Sequence, residues 1–174
     1  GGKGVDADIL TGRDNPDFLN LDFDNLVMHD KVIKDVYFDN CSFRDADLSG
    51  CIFEFGHLRD ADFTGAKLKG TQFINCNMRH ANMSHVNMSG GVIKDCMMRS
   101  VNFYGARLQY VDFSGSDCRK SDFRDINGRG TVWTGARFTN CDWRSALLHK
   151  TTGIPRFMRS QKEAYDQMPP DYKC

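Results

Sequence analysis

The chain has 174 residues, with 23 basic and 23 acidic side chains and no formal net charge. This length suits a single domain, and the balanced charge excludes a general electrostatic attraction to nucleic acid or to an anionic membrane surface. No apolar run reaches the length of about 18 residues that indicates a membrane-spanning helix, and the first residues lack the basic and apolar segments of a secretory signal. We therefore expect a soluble protein that is not targeted to a membrane.

The N-terminal segment, residues 1–15, carries no regular pattern. Its apolar residues Val5, Ile9 and Leu10 are available to cover Phe18, where a regular pattern begins. The segment is therefore predicted to form an N-terminal cap, because the end of a repeat array exposes apolar core and unpaired backbone unless something covers it.

From Phe18 to Leu148 a large apolar residue recurs at every fifth position. The register has 27 positions, and 25 of them are Phe, Trp, Leu, Ile or Met, the exceptions being Cys118 and Gly128. This spacing is neither the period of two that is typical of a strand nor the period of 3.6 that is typical of a helix. The residue two positions earlier is usually small and most often Ala or Cys, so two places in five face inward. We number the five places so that the small residue is first and the large residue third.

A second, longer period of four repeats sorts the third-place residues into four sets. One set is aromatic in six of seven positions and is called the aspartate side, because Asp or Asn usually precedes each member: Phe23, Phe43, Phe63, Met83, Phe103, Phe123 and Trp143. Another set has no aromatic residue and is called the leucine side: Met28, Leu48, Leu68, Met88, Leu108, Gly128 and Leu148. Such sorting indicates a solenoid in which each repeat forms one side of a four-sided coil.

The motifs ADLSG (46–50), ADFTG (61–65), AKLKG (66–70), VNMSG (86–90) and VDFSG (111–115) carry the repeat in its clearest form. This organisation resembles the pentapeptide-repeat family over residues 16–150. The resemblance implies an all-β solenoid, a right-handed quadrilateral β-helix of about seven coils. Gly128 replaces a large residue in this array, so we expect a thin or bulged coil there, with Ile126 filling the space.

The last segment, residues 151–174, departs from the repeat. Ile154, Phe157, Met158 and Tyr165 can share one side of a helix that starts near Pro155. This segment is therefore predicted to be a C-terminal capping helix followed by a loose tail that ends at Cys174.

Six of the seven cysteines fall at inward places of the repeat. Cys118 is third in its repeat, and the others are first: Cys41, Cys51, Cys76, Cys96 and Cys141. A free buried cysteine behaves as a small apolar residue, and no CxxC pair indicates a zinc site. We predict reduced thiols and, from them, a cytoplasmic location.

The polar residues give no sign of catalysis. The five histidines fall on different sides or distant coils and do not converge, and the Asp and Asn column of the aspartate side is explained by hydrogen bonds to the turning backbone. We predict a noncatalytic protein without a cofactor, a metal or a small-molecule substrate.

Charge is distributed unevenly along the rod. Residues 16–65 contain 11 acidic and 4 basic side chains, and residues 66–150 contain 6 acidic and 13 basic ones. Arg59, Arg79, Arg99 and Arg119 all occupy the fourth place and lie four repeats apart, so we expect them to stack on one side, called the arginine side. Asp60 and Asp117 are available to offset the repulsion between them.

The remaining side, called the apolar side, has Ile33, Phe53, Phe73, Ile93, Phe113 and Trp133 in third place. Its outward places are unusually apolar, and we predict a partner-binding surface made by Val32, Ile52, Phe55, Ile74, Val92 and Val132. The stripe is long enough to reach the few hundred Å² that mark contact surfaces. It would bind a second copy in a two-fold homodimer or another protein.

Three functional classes remain open. The first is a noncatalytic protein-interaction scaffold, which fits a rigid rod with patterned sides. The second is a DNA mimic that modulates a type II topoisomerase, which is implied by the similarity to the quinolone-resistance branch of the family. The third is nucleic-acid binding by the basic half, through Arg79, Arg99, Arg119, Arg124, Arg129 and Arg144.

Overall fold

The computed structural model describes residues 17–153. Four short strands lie on the apolar side: β1 (Val32–Lys34), β2 (Ile52–Glu54), β3 (Gln72–Ile74) and β4 (Val92–Lys94). They form one parallel sheet in the order β1-β2-β3-β4, with Ile33 opposite Phe53, Phe53 opposite Phe73, and Phe73 opposite Ile93. Each step of the register is four repeats, which is the coil predicted from the sorting of third-place residues.

The other three sides are held by single parallel bridges with the same spacing. Examples are Asp22 with Ser42 and Asn127 with Leu147. The prediction of an all-β, four-sided solenoid is therefore confirmed. Residues 17–153 contain no helix, and hence none that could cross a membrane. The predicted N-terminal cap (1–15) lies outside the described residues, as does the predicted C-terminal helix apart from residues 151–153.

A left-handed residue occupies the fifth place of every repeat. Fifth-place residues from Asn20 to Lys150 all have positive φ, whether or not they are glycine. At most corners the next backbone N–H donates to the third-place carbonyl, as Cys41 N does to Phe38 O at 3.1 Å. This is the pattern of a type II turn, whose third residue needs positive φ. It explains why Gly, Asn and Asp are common at the fifth place.

The core is a column of third-place side chains in which like packs on like. On the aspartate side the rings of Phe43 and Phe63 stack with centroids 4.9 Å apart, and those of Phe103 and Phe123 stack at 5.0 Å. Rings on opposite sides meet edge to face across the core, as Phe63 and Phe73 do at 5.8 Å. Both arrangements are the favoured geometries of aromatic pairs.

The coil at Gly128 is regular, so the predicted bulge is wrong. Gly128 N donates to Leu147 O at 2.8 Å, and Asn127 pairs with both Arg107 and Leu147. A β-carbon at Gly128 would lie 3.1 Å from Cδ1 of Ile126 and 3.2 Å from Cδ2 of Leu148. The larger first-place side chain of Ile126 therefore fills the space, as expected, without distorting the backbone.

The six cysteines of the described region are buried, and no two of them form a disulfide. Those in first place are hydrogen-bond donors as well as small residues: Cys51 Sγ donates to Met28 O at 3.1 Å, in the preceding coil. Thr71 and Ser121 make the equivalent bond through their hydroxyl groups, at 2.9 Å to Leu48 O and Met98 O. Thiols and hydroxyls are thus interchangeable links between coils, which the interpretation of cysteine as an apolar filler missed.

Burial also makes three of these thiols weaker acids. It raises the pKa of Cys41 from near 9 to about 11 and raises the pKa of Cys51 and Cys118. The physical cause is the cost of a thiolate in an apolar core.

The aromatic column predicts a large effect of truncation. Phe63→Ala or Phe103→Ala is expected to lower the free energy of unfolding by about 3 to 5 kcal/mol through cavity formation, measured by chemical denaturation. Tyr104→Ala is the control, because Tyr104 follows Phe103 but points outward. A loss below about 1 kcal/mol for either Phe variant would contradict their place in the core.

The packing at Gly128 predicts a compensating exchange. Gly128→Leu is expected to cost about 1 to 3 kcal/mol by overpacking, and Ile126→Ala about 2 to 5 kcal/mol by leaving a cavity. The double variant should lose clearly less free energy of unfolding than the two single variants lose together, because the new Leu takes the space that Ile126 vacates. Additive losses in denaturant unfolding would show that the two side chains do not share one space.

The buried thiols predict a decline in stability at alkaline pH. Between about pH 9 and pH 11 the unfolded chain loses thiol protons that the folded chain keeps, so the free energy of unfolding falls as pH rises. Replacing Cys41 and Cys51 by Ser should reduce this slope, since Ser does not titrate there and can make the same bonds. Urea unfolding at pH 7.5, 9 and 10 compares the two proteins, and equal slopes would contradict the prediction.

Candidate functional site

The described residues contain no group of three or more His, Cys, Asp or Glu side chains placed to hold a metal ion. The histidines are separated on the rod. His29 Nε2 lies 3.1 Å from Asp47 Oδ2, His57 stacks on Tyr37, and His85 meets Tyr104 edge to face. The candidate functional features of this region are therefore its four outer surfaces.

The apolar side brings together most of the residues predicted to bind a partner. Val32, Ile52 and Val92 lie in one column with Gln72, where the strands place them in register. Val132 continues this column through bridges by way of Asp112. Ile74 lies in the adjacent outward column of β3, because it occupies the fourth place. The stripe is real but interrupted by two polar residues, Gln72 and Asp112.

Exposure differs along this stripe. Val32 is 53% exposed, whereas Ile52, Ile74, Val92 and Val132 are half-buried against their neighbours. Lys34 and Glu54 form an ion pair at 3.6 Å beside the stripe. The apolar area is therefore shared among several partly exposed residues.

Phe55 stands at the corner where the apolar side ends. It is 47% exposed, and the Lys34 ammonium lies 5.9 Å from the centre of its ring. Its φ is +54°, in the left-handed region that bulky residues rarely adopt. Four other residues of this corner column are Asp35, Asn75, Asp95 and Gly115, types that tolerate the conformation. Phe55 is thus a large apolar side chain held outward at an unfavourable backbone position.

The arginine side stacks as expected but is only partly neutralised. The carbonyls of Arg79, Arg99 and Arg119 accept backbone bonds from the preceding coil, at 3.0 to 3.1 Å. Arg119 donates to Asp117 at 2.6 Å and lowers the pKa of that carboxyl group. Within residues 17–153, Arg59, Arg79 and Arg99 form no ion pair, so Asp60 does not have the role predicted for it.

The aspartate side neutralises its own arginines. Arg124 donates to Asp122 at 2.7 Å, and Arg144 makes the same contact with Asp142. Arg124 also lies over the ring of Tyr104, 5.3 Å from its centre. The second-place Asp and Asn residues bond the turning backbone, as Asp62 does by accepting from Thr64 N at 2.9 Å.

The leucine side carries a basic band that the sequence analysis missed. A count of charge along the chain does not reveal this band, because residues of one side are four repeats apart in sequence. Between residues 66 and 150 five basic residues lie on this side or at its corner, and none of them forms an ion pair within the described region: Lys67, Lys69, Arg107, Arg129 and Lys150.

The acidic residues of the N-terminal half follow no single side. The arginine side has Asp39, the aspartate side Asp22, the leucine side Asp47 and the apolar side Glu54. Their charge therefore surrounds the rod and does not form one acidic face.

Comparison with known proteins agrees with this architecture. A search of curated protein sequences finds no match. Among solved structures, two trypsin-treated variants of QnrB1, a plasmid-mediated fluoroquinolone resistance protein, share the fold with TM-scores of 0.58 and 0.57. Their identity to this chain is 21% and 20%; the matches cover 82% and 86% of this chain and 84% and 88% of QnrB1.

The family comparison covers the central half of the chain. The family described as pentapeptide repeats matches in eight copies, over residues 57–95, 81–115 and 106–144. These ranges fall within the four-sided coils, where the turns, the stacked third-place residues and the small first-place residues are all present. The chain belongs to the pentapeptide-repeat family.

Proposed function

We propose that this protein is a noncatalytic interaction scaffold and that its apolar side is the surface that docks a protein partner. The observation that carries the proposal is Phe55, an exposed aromatic residue in a left-handed conformation at the edge of that side. An exposed side chain gains little stability from burial, and its left-handed backbone adds strain. Binding to a partner explains such a residue better than a role in the fold does. Cys41, Cys51, Cys76, Cys96 and Cys118 form no disulfide, which favours a reducing compartment, and we propose the cytoplasm as its location.

The contrast between sides supports the same surface. At the second place the apolar side has Val32, Ile52, Val92 and Val132, whereas most second places of the aspartate side hold Asp or Asn. Strands form on the apolar side only as far as Lys94, yet an apolar residue also stands at Val132, in a single bridge like those of the aspartate side, so strand propensity alone does not explain the difference. Apolar residues with aromatic neighbours are typical of the centre of a protein interface.

A second candidate is modulation of a type II topoisomerase by DNA mimicry. The fold shared with QnrB1 favours it, since that protein is described as a fluoroquinolone resistance protein. The distribution of charge weakens it, because the acidic residues surround the N-terminal half and the C-terminal half is basic. A gyrase supercoiling assay separates the two candidates. The scaffold proposal predicts that adding this protein leaves gyrase activity unchanged, whereas DNA mimicry predicts that it changes.

The scaffold proposal predicts loss of binding from charge on the apolar side. Ile52→Lys with Val92→Lys should abolish capture of a protein partner or, if the partner is a second copy, lower the mass in solution. The matched control is His57→Lys with Met97→Lys, which places the same charges at the same repeat place and spacing on the arginine side. Capture from cell extract and light scattering compare the three proteins. Equal behaviour of folded parent and folded Ile52/Val92 variant would contradict the proposal.

Phe55→Asn tests the same surface without added charge. Asn accepts the left-handed conformation more readily than Phe, so the free energy of unfolding should stay constant or rise by up to about 1 kcal/mol. Partner capture should nevertheless fall, because the exposed ring is lost. Greater stability with reduced capture is the expected pair of results; reduced stability with full capture would show that Phe55 serves the fold.

A further inference from the structure

We propose that the leucine side, from Lys67 to Lys150, binds single-stranded nucleic acid. The protein would hold the phosphates with its basic band and stack a base on Tyr110. This surface lies on a different side from the proposed protein-docking surface, and neither proposal depends on the other.

The basic band extends along the rod over five coils, of which one, at residues 86–90, has no basic residue. Lys67 and Arg107 lie in one column with Asn87 between them, and the column continues through Asn127 to Leu147. Lys69 and Arg129 occupy the other outward column, and Lys150 lies at the corner. With about 4.8 Å between coils, the band from Lys67 to Lys150 is roughly 19 Å long. A stacked nucleotide strand rises about 3.4 Å per residue, so this length spans five or six phosphates.

The band is not neutralised by its surroundings. The acidic residues of the leucine side, Asp30 and Asp47, lie at its N-terminal end, and Asp47 is paired with His29. Beside the C-terminal half of the band, Asp125 lies at the corner with the aspartate side and Asp112 on the adjoining apolar side, and neither forms an ion pair with a basic residue of the band. The arginine side, by contrast, contains Asp117 within its basic part and ties Arg119 to it. Each of the two sides has five basic residues without an ion pair in the described region, those of the arginine side being Arg59, Arg79, Arg99, Lys120 and Arg137. The leucine side differs in that its repeats from Lys67 to Lys150 contain no acidic residue at all.

The surface between the charges suits a flexible polar strand. Asn87, Ser89, Gln109 and Asn127 supply hydrogen-bonding groups at the intervening places. At the corner that leads to the apolar side, a β-carbon built on Gly70 or Gly90 would meet no atom within 4 Å. The corner is open there, so a ligand backbone can approach closely.

Tyr110 gives this side an aromatic platform. It occupies the same corner column as Gly70 and Gly90, has φ of +61° and is 59% exposed. Its Cδ1 lies 2.5 Å from the position a β-carbon would take on Gly130, so the ring can lie against that corner only because Gly130 has no side chain. The opposite face of the ring is available to a base. Basic tracks with an aromatic stacking residue are typical of single-strand binding, whereas duplexes keep their base faces hidden.

The experiment measures anisotropy of labelled oligothymidylate and oligouridylate of about 12 nucleotides, within the site sizes of single-strand binding proteins. With five phosphates neutralised, the slope of log K against log salt should be about −3.5, because each contributes about −0.7 for single strands. The two oligonucleotides distinguish DNA from RNA. A duplex of the same length should bind more weakly.

Matched variants locate the site. Lys69→Gln with Arg107→Gln and Arg129→Gln should make the slope shallower by about 2, since three contacts are lost. Arg59→Gln with Arg79→Gln and Arg99→Gln removes the same charge from the arginine side and should leave the slope unchanged. Tyr110→Asn should weaken binding by about tenfold, in line with the loss of one stacked base, whereas Tyr104→Asn on the aspartate side should not.

Several outcomes would overturn the proposal. The proposal is wrong if neither oligonucleotide binds in a salt-dependent way, or if a duplex binds as tightly as a single strand. It is also wrong if the two triple variants have equal effects, or if a folded Tyr110→Asn variant keeps the parent's affinity. Circular dichroism of each variant establishes that it is folded. A loss of affinity confined to the leucine-side variants is the supporting result.

Discussion

The left-handed residue at the fifth place of each repeat is the constraint on which the rest of the structure depends. It turns the chain by one side at the end of each repeat, so that residues four repeats apart lie above one another. The resulting backbone bonds between coils then fix the register, and register decides which side chains enter the core. Because positive φ recurs even at Phe55 and Tyr110, the bonds between coils and the packed third-place column must outweigh the local preference of those residues.

This constraint makes the four sides nearly independent surfaces on one rigid scaffold. First- and third-place residues are committed to packing and to links between coils, as Cys51 and Phe63 show. Residues at the second, fourth and fifth places are largely not needed for packing or for links between coils. A side can therefore be apolar, acidic or basic without a change of fold, and function in such a protein depends on surface pattern more than on a convergent site.

Local pairing decides which charges are available to a partner. Arg119, Arg124 and Arg144 each follow an Asp at the second place of the same repeat, and the turn brings each guanidinium back to that carboxylate. Such pairs are individually weak at a surface, but they remove the arginines from the field that a phosphate would meet. Three of the six arginines assigned to nucleic acid from sequence are thus neutralised, whereas Arg79, Arg99 and Arg129 form no ion pair in the described region. The leucine side adds Lys67, Lys69 and Arg107, which that assignment did not include.

The sequence by itself determined the family, the period of five, the four-sided coil and the burial of residues such as Phe63 and Cys96, because each follows from the spacing of apolar residues along the chain. It also placed Val32, Ile52 and Val92 in one column. Only the tertiary structure decided that Gly128 causes no bulge, that Cys51 is a donor between coils, that Phe55 and Tyr110 are held in left-handed turns, and that the acids surround the rod. These features depend on the side chain one coil away and on the direction of each place around the coil, which a linear pattern does not contain.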